Sequence, residues 1–206
     1  RACELRPNDM MLAYQLAVAA RAARQAGHKV VITPPELAGD DGSSARQLSQ
    51  YIAAEPEFID AFLSLPESEI DLDLFNVLAG AISQSLTSHP NYADLHLYYA
   101  RVMKRLGRLE HAVDHVKNAL AINPNYVSAL IELGRLQAAT AEPVSAAASL
   151  ELAISKGADW PDIHCLAGQT MLQSGQTEKG RRHLERALEL RANYAPAKEA
   201  LEGLAA

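Results

Sequence analysis

His111 and His115 stand four residues apart in the run His-Ala-Val-Asp-His, a spacing that places two imidazoles on one helix face and could chelate a metal at two points. Zinc takes three or four protein ligands, and the surrounding sequence offers no third. The pair therefore reads as surface histidines, and no metal site is expected. Cys165 lacks the histidine-bearing surroundings of a cysteine nucleophile and reads as a thiol on an outward helix face. No glycine-rich phosphate loop, Gly-x-Ser-x-Gly elbow, His-Glu-x-x-His pair or Cys-x-x-Cys occurs, so no cofactor and no enzymatic activity are expected. Two guanidinium groups remain, Arg101 and Arg135, 34 residues apart. Side by side, such planar forks grip carboxylates bidentately. Bringing them side by side requires a scaffold that repeats every 34 residues.

Composition favours a helical scaffold. Of 206 residues 37 are alanine and only 5% are aromatic; alanine costs least in a helix and permits close helix contact. The one stretch that reads as a strand is Lys29 to Thr33. A net charge of −6 opposes the basic footprint that nucleic-acid recognition needs. The longest uncharged apolar run, Met10 to Ala20, is too short to span a bilayer as a helix, so no membrane insertion is expected. Two cysteines, Cys3 and Cys165, form no disulfide framework, and this usage favours a reducing, cytoplasmic compartment. The chain begins with Arg1 and reads as a fragment or processed product.

The repeat is visible in columns. Steps of 34 from Phe58 reach Tyr92, Tyr126, Trp160 and Tyr194, although the chain has only 11 aromatics. The residues before them are Glu57, Asn91, Asn125, Asp159 and Asn193, four of which are good N-caps. Pro56, Pro90 and Pro124 lie one place earlier, where proline ends a helix. Gly107 and Gly175 fall midway and break each unit into two helices. The first helices run His96, Tyr99, Ala100, Met103, then Leu130, Leu133, Gly134, Gln137, then His164, Ala167, Gly168, Met171, one face at i, i+3, i+4, i+7. The second helices run Ala112, Val116, Ala119, then Ala146, Leu150, Ala153, then Gly180, Leu184, Ala187. Small residues recur where two backbones approach within about 8–10 Å.

These marks resemble the tetratricopeptide repeat, a 34-residue helix-turn-helix. The resemblance implies an all-α solenoid of stacked hairpins forming a right-handed superhelix, with three units at 93–126, 127–160 and 161–194 and a capping helix at 195–206. Residues 59–92 read as a degenerate unit in which Pro66 shortens or breaks the first helix. Residues 1–58 read as a degenerate N-terminal repeat. The stretch from Asp9 to Phe58 exceeds one repeat by 15 residues, which places a loop insertion near 27–44, around Pro34-Pro35 and Gly39 to Ser44.

Members of the family hold other polypeptides in the groove lined by the first helices, and the resemblance implies the same here. The outward places expected to line that groove are Tyr98, Arg101, Arg105, Glu132, Arg135 and Gln169. Arg101 and Arg135 share a column, which suits an acidic protein or peptide segment. The lysine and asparagine of the family's carboxylate clamp are not matched: those places hold Leu97 with Arg101, Ile131 with Arg135, and Cys165 with Gln169. Between Gln47 and Ala100 there is no Lys or Arg but eight acidic residues, a polarity that suits self-association. The expected function is a non-enzymatic interaction scaffold. A substrate-docking region cut from a larger enzyme and a homo-oligomeric assembly module are the alternatives.

Overall fold

A computed structural model describes Ile52, residues 58–64 and residues 72–205. The strand at 29–33, the insertion near 27–44, Pro66 and, apart from Ile52, the N-terminal repeat before Phe58 lie outside the described residues. Among those described there are nine α-helices and no strand. They are α1 (Phe58–Leu63), α2 (Leu72–Ser88), α3 (Ala93–Arg105), α4 (Leu109–Ile122), α5 (Val127–Ala139), α6 (Pro143–Ser155), α7 (Pro161–Gln173), α8 (Thr177–Leu190) and α9 (Ala195–Ala205). The chain divides into two compact units, Arg1–Arg108 and Leu109–Ala206.

In the first unit α3 packs on both α1 and α2, around buried Ile59, Phe62, Phe75, Ile82, Leu95, Val102 and Met103. In the second unit each helix from α4 to α9 packs on the next, and the alternate helices α5, α7 and α9 also touch in series. The second unit is thus a one-dimensional stack, with each hairpin covering its neighbour's apolar side. Leu130, Ile131, Leu150, Ala153, Ile163 and Ala167 form one core cluster. Cys165, Leu184, Ala187 and Ala197 form the next. All nine second-helix residues singled out by the 34-residue period are buried.

The turns within hairpins share one geometry. At Gly107 the amide of Arg108 donates to Met103 O at 2.9 Å and that of Gly107 to Lys104 O at 3.0 Å, which closes the helix through a left-handed residue at φ 73°. Gly175 repeats it at φ 80°, with Gln176 donating to Met171 O at 2.8 Å. The corresponding place in the middle repeat is Ala141 at φ 58°, with Glu142 donating to Gln137 O at 2.8 Å. A Cβ in that region costs about 1–2 kcal/mol, partly offset by the lower chain entropy of alanine when unfolded. Ala141→Gly is therefore expected to stabilise the second unit by about 0.5–1 kcal/mol in urea unfolding. A loss of stability would contradict the strain.

The turns between hairpins correct the N-cap assignment. The N-caps of α3, α5 and α7 are the aromatics themselves, Tyr92, Tyr126 and Trp160, with no side-chain capping bond. Tyr92 N–H donates to His89 O at 3.2 Å, Tyr126 N–H to Asn123 O at 3.1 Å and Tyr194 N–H to Arg191 O at 3.0 Å. Each is a four-residue turn in which Pro90, Pro124 or Ala192 holds the second place and asparagine the third. Proline pre-sets the second place of such a turn, and asparagine tolerates its neighbour. The Pro-Asn pattern therefore encodes the turn, and the helix starts one residue later.

Candidate functional site

In the second unit the first helices α5, α7 and α9 present one continuous face. Arg135 projects from α5 and its Nη2 lies 3.1 Å from Asp162 Oδ2 on α7, with the two side chains 41% and 49% exposed. Gln169, in the same column as Arg135 one repeat on, is half-buried on α7. Arg191 lies over the ring of Tyr194 at 5.7 Å. Burial, reinforced by Cys165 and Asp162, holds the Tyr194 hydroxyl in its neutral form, with a raised pKa. The exposed side of α9 carries Lys198, Glu199 and Glu202.

In the first unit a separate polar cluster forms on α1 and α3. Tyr98 donates its hydroxyl to Asp60 Oδ2 at 2.9 Å, Arg101 Nη1 lies 3.5 Å from Asp60 Oδ1, and Arg105 Nη2 donates to Leu63 O at 2.7 Å. Arg101 meets the carboxylate of the preceding first helix, whereas Arg135 meets that of the following one.

Three residues expected to point outward are buried. Tyr98 is 8% exposed, Glu132 4% and Cys165 3%; α3 packs on α1 as well as on α2, and α5 and α7 touch each other as well as their own hairpin partners. A single-hairpin view of amphipathicity leaves that second neighbour out. Burial, with Asp162 adding to it, raises the pKa of the Cys165 thiol, which is the reverse of an activated nucleophile. Leu97 and Ile131 are buried too, so the lysine place of the family clamp is a core column in this chain. His111 is exposed and His115 half-buried. Among the described residues no group of three or more His, Cys, Asp and Glu could hold a metal, and no helix is long and apolar enough to cross a membrane.

One cluster was not anticipated. His164, expected to be a packing residue, is 5% exposed and joins Asp159 to His183 on α8, with Arg186 completing the group. The signal lay in the sequence. His164 and His183 are 19 residues apart, and the same two columns hold His96 and His115 two repeats earlier.

Residues 93–136 match the tetratricopeptide repeat family. No curated protein sequence is significantly similar to this chain. Among solved structures, MamA is similar at a TM-score of 0.57 and 18% identity, over 84% of this chain and 95% of its own. TTC0263 from Thermus thermophilus, described as a thermophilic tetratricopeptide-repeat protein, aligns at 0.57 and 18% over 94% and 97%. YrrB, described as a tetratricopeptide-repeat protein with an unusual peptide-binding site, aligns at 0.59 and 13% over 95% and 93%. The 34-residue period, the recurring turn geometry and the all-α stack give this chain the fold of those tetratricopeptide-repeat structures, with the sequence match itself confined to residues 93–136.

Proposed function

We propose that this protein is a non-enzymatic interaction scaffold and that the α5, α7 and α9 face of its second unit forms a groove for an extended, carboxylate-bearing segment of another protein. The carrying observation is the Arg135–Asp162 pair, a guanidinium on that face held by a single half-exposed carboxylate. Such a solvent-screened pair is worth about 0–1 kcal/mol, so a ligand carboxylate can replace Asp162 at little cost and gain a bidentate contact. Gln169 in the next repeat supplies an amide for the ligand backbone. The peptide-binding description of the similarly folded YrrB supports this reading. On the first unit, Arg101, over the Tyr98 ring, and Arg105 form a comparable cationic set on α3, while Glu132 is buried on α5.

The test uses peptides selected from a random displayed library and measured by fluorescence anisotropy. Arg135→Glu is expected to weaken the selected peptides at least tenfold, about 1.4 kcal/mol, while moving Tm by no more than about 2–4 °C. Asp162→Asn, which removes the competing carboxylate, is expected to tighten them. Selection without Asp or Glu enrichment, or unchanged affinity in Arg135→Glu, would contradict the proposal.

A further inference from the structure

Three side chains at the α7–α8 hairpin form a chain of hydrogen bonds. Asp159, in the turn before α7, lies 2.9 Å through Oδ1 from His164 Nε2. His164 Nδ1 lies 2.9 Å from His183 Nδ1 on α8, and the two rings stack with centroids 5.2 Å apart and planes 29° from parallel. Arg186 grips the same carboxylate, Nη2 to Oδ2 at 2.7 Å and Nε to Oδ1 at 3.3 Å.

Proton bookkeeping follows from the donor inventory. Ionised Asp159 only accepts, so the hydrogen lies on His164 Nε2 and leaves Nδ1 bare in the neutral ring. His183 Nδ1–H then donates to it. A first added proton can sit on His183 Nε2 without disturbing this bond. A second would put a hydrogen on each of two nitrogens 2.9 Å apart, with nothing between them to accept either.

We propose that the His164–His183 pair is a proton-operated latch: one hydrogen between the facing nitrogens ties α7 to α8, and a hydrogen on each forces them apart, so acidification loosens this hairpin. The inference is independent of whether the first-helix face binds a peptide. Charged groups act on the pair from the turn before α7, from α6 and from α8. Asp159 and Arg186 flank His164, Glu151 of α6 pairs with Lys179 of α8 at 3.6 Å, and α9 packs Ala197 and Leu201 into the apolar cluster.

The environment of His183 agrees with the geometry. Burial, then the neighbouring His164, lowers its pKa from the ordinary 6.5, with Glu151 acting against them and Lys179 adding to the lowering. The folded state thus binds this proton less readily than the unfolded chain. Stability is full above 6.5, falls as pH drops through 6.5, and levels off once pH is below the folded-state value. Asp159 is held below its ordinary 3.8, first by Arg186 and then by His164. Its contribution is present above 3.8 and lost as pH falls through the lower folded value, outside the histidine window.

Urea unfolding of the full chain from pH 7.5 to 4.5 tests the latch. The wild-type unfolding constant is expected to rise by up to about tenfold per pH unit below 6.5 beyond that of His183→Gln. A wild-type slope in His183→Gln would overturn the latch. A nitrogen-15 imidazole titration of the unmutated protein gives an independent reading. Coupling between the two Nδ1 atoms at about pH 7.5 that vanishes on acidification to about pH 4.5 is expected; coupling that persists at the lower pH would overturn it.

Discussion

Leu150→Ala is expected to destabilise the second unit by about 2–5 kcal/mol in urea unfolding. Leu150 is fully buried on α6 and shares a core cluster with Leu130, Ile131 and Ile163. It also fills the notch that Gly134 leaves on α5. A Cβ at Gly134 would stand 2.6 Å from Leu150 Cγ and 2.8 Å from Cδ2, closer than carbon atoms approach. Truncation leaves a cavity between two helices held from both sides by their neighbours, so the site collapses poorly. The same contact predicts coupling. Gly134→Ala alone should destabilise, because Leu150 is in the way, but in the Leu150→Ala background its methyl group has room and the helix gains propensity. A double-mutant cycle should show about 0.5–3 kcal/mol of interaction; additivity would mean that the two residues do not touch.

Gly168→Val should damage the α7–α8 hairpin still more directly. A Cβ at Gly168 would lie 2.8 Å from the Gly180 carbonyl oxygen and 2.8 Å from Leu184 Cγ. A Cβ at Gly180 would in turn lie 2.9 Å from the Gly168 carbonyl oxygen. The helices cross backbone to backbone through these two glycines, and a carbonyl within a helix cannot swing aside as a side chain can. Overpacking of this kind costs about 1–3 kcal/mol; valine, with two γ carbons, belongs at the upper end or beyond. Gly80 and Gly203 provide the opposite sign. Both lie in helices with nothing within 4 Å of the added atom, so alanine there should stabilise by up to about 1 kcal/mol. Thermal unfolding that ranked Gly168→Val with Gly203→Ala would contradict the close crossing.

The buried columns were legible in the sequence because each is written several times. Ala100, Gly134 and Gly168 hold one place at the crossing, and Ala119, Ala153 and Ala187 hold another, all buried. Periodicity also located the turns, including the left-handed place that Gly107 and Gly175 fill and Ala141 shares. The starts of α3 and α5 were misplaced by one residue because the turn pair Pro-Asn mimics a cap. The exposure of Tyr98, Glu132 and Cys165 was misjudged for a different reason. Amphipathicity within one hairpin reports the partner helix, whereas Tyr98 also meets Asp60 on α1 and Cys165 also packs with Ala197 on α9. The Asp159–His164–His183–Arg186 cluster escaped because it runs across a hairpin rather than along the 34-residue columns, so stepping by the period never pairs its members.

Partner recognition, as proposed, belongs to the first helices of the second unit and not to the second helices. Amide chemical-shift mapping with a selected acidic peptide decides this most directly. Shifts concentrated on the exposed residues of α5, α7 and α9, with Arg135, Asp162 and Gln169 among the largest, are predicted. Shifts concentrated on the exposed sides of α4, α6 and α8, around Asp114, Val144 and Arg182, would contradict the assignment.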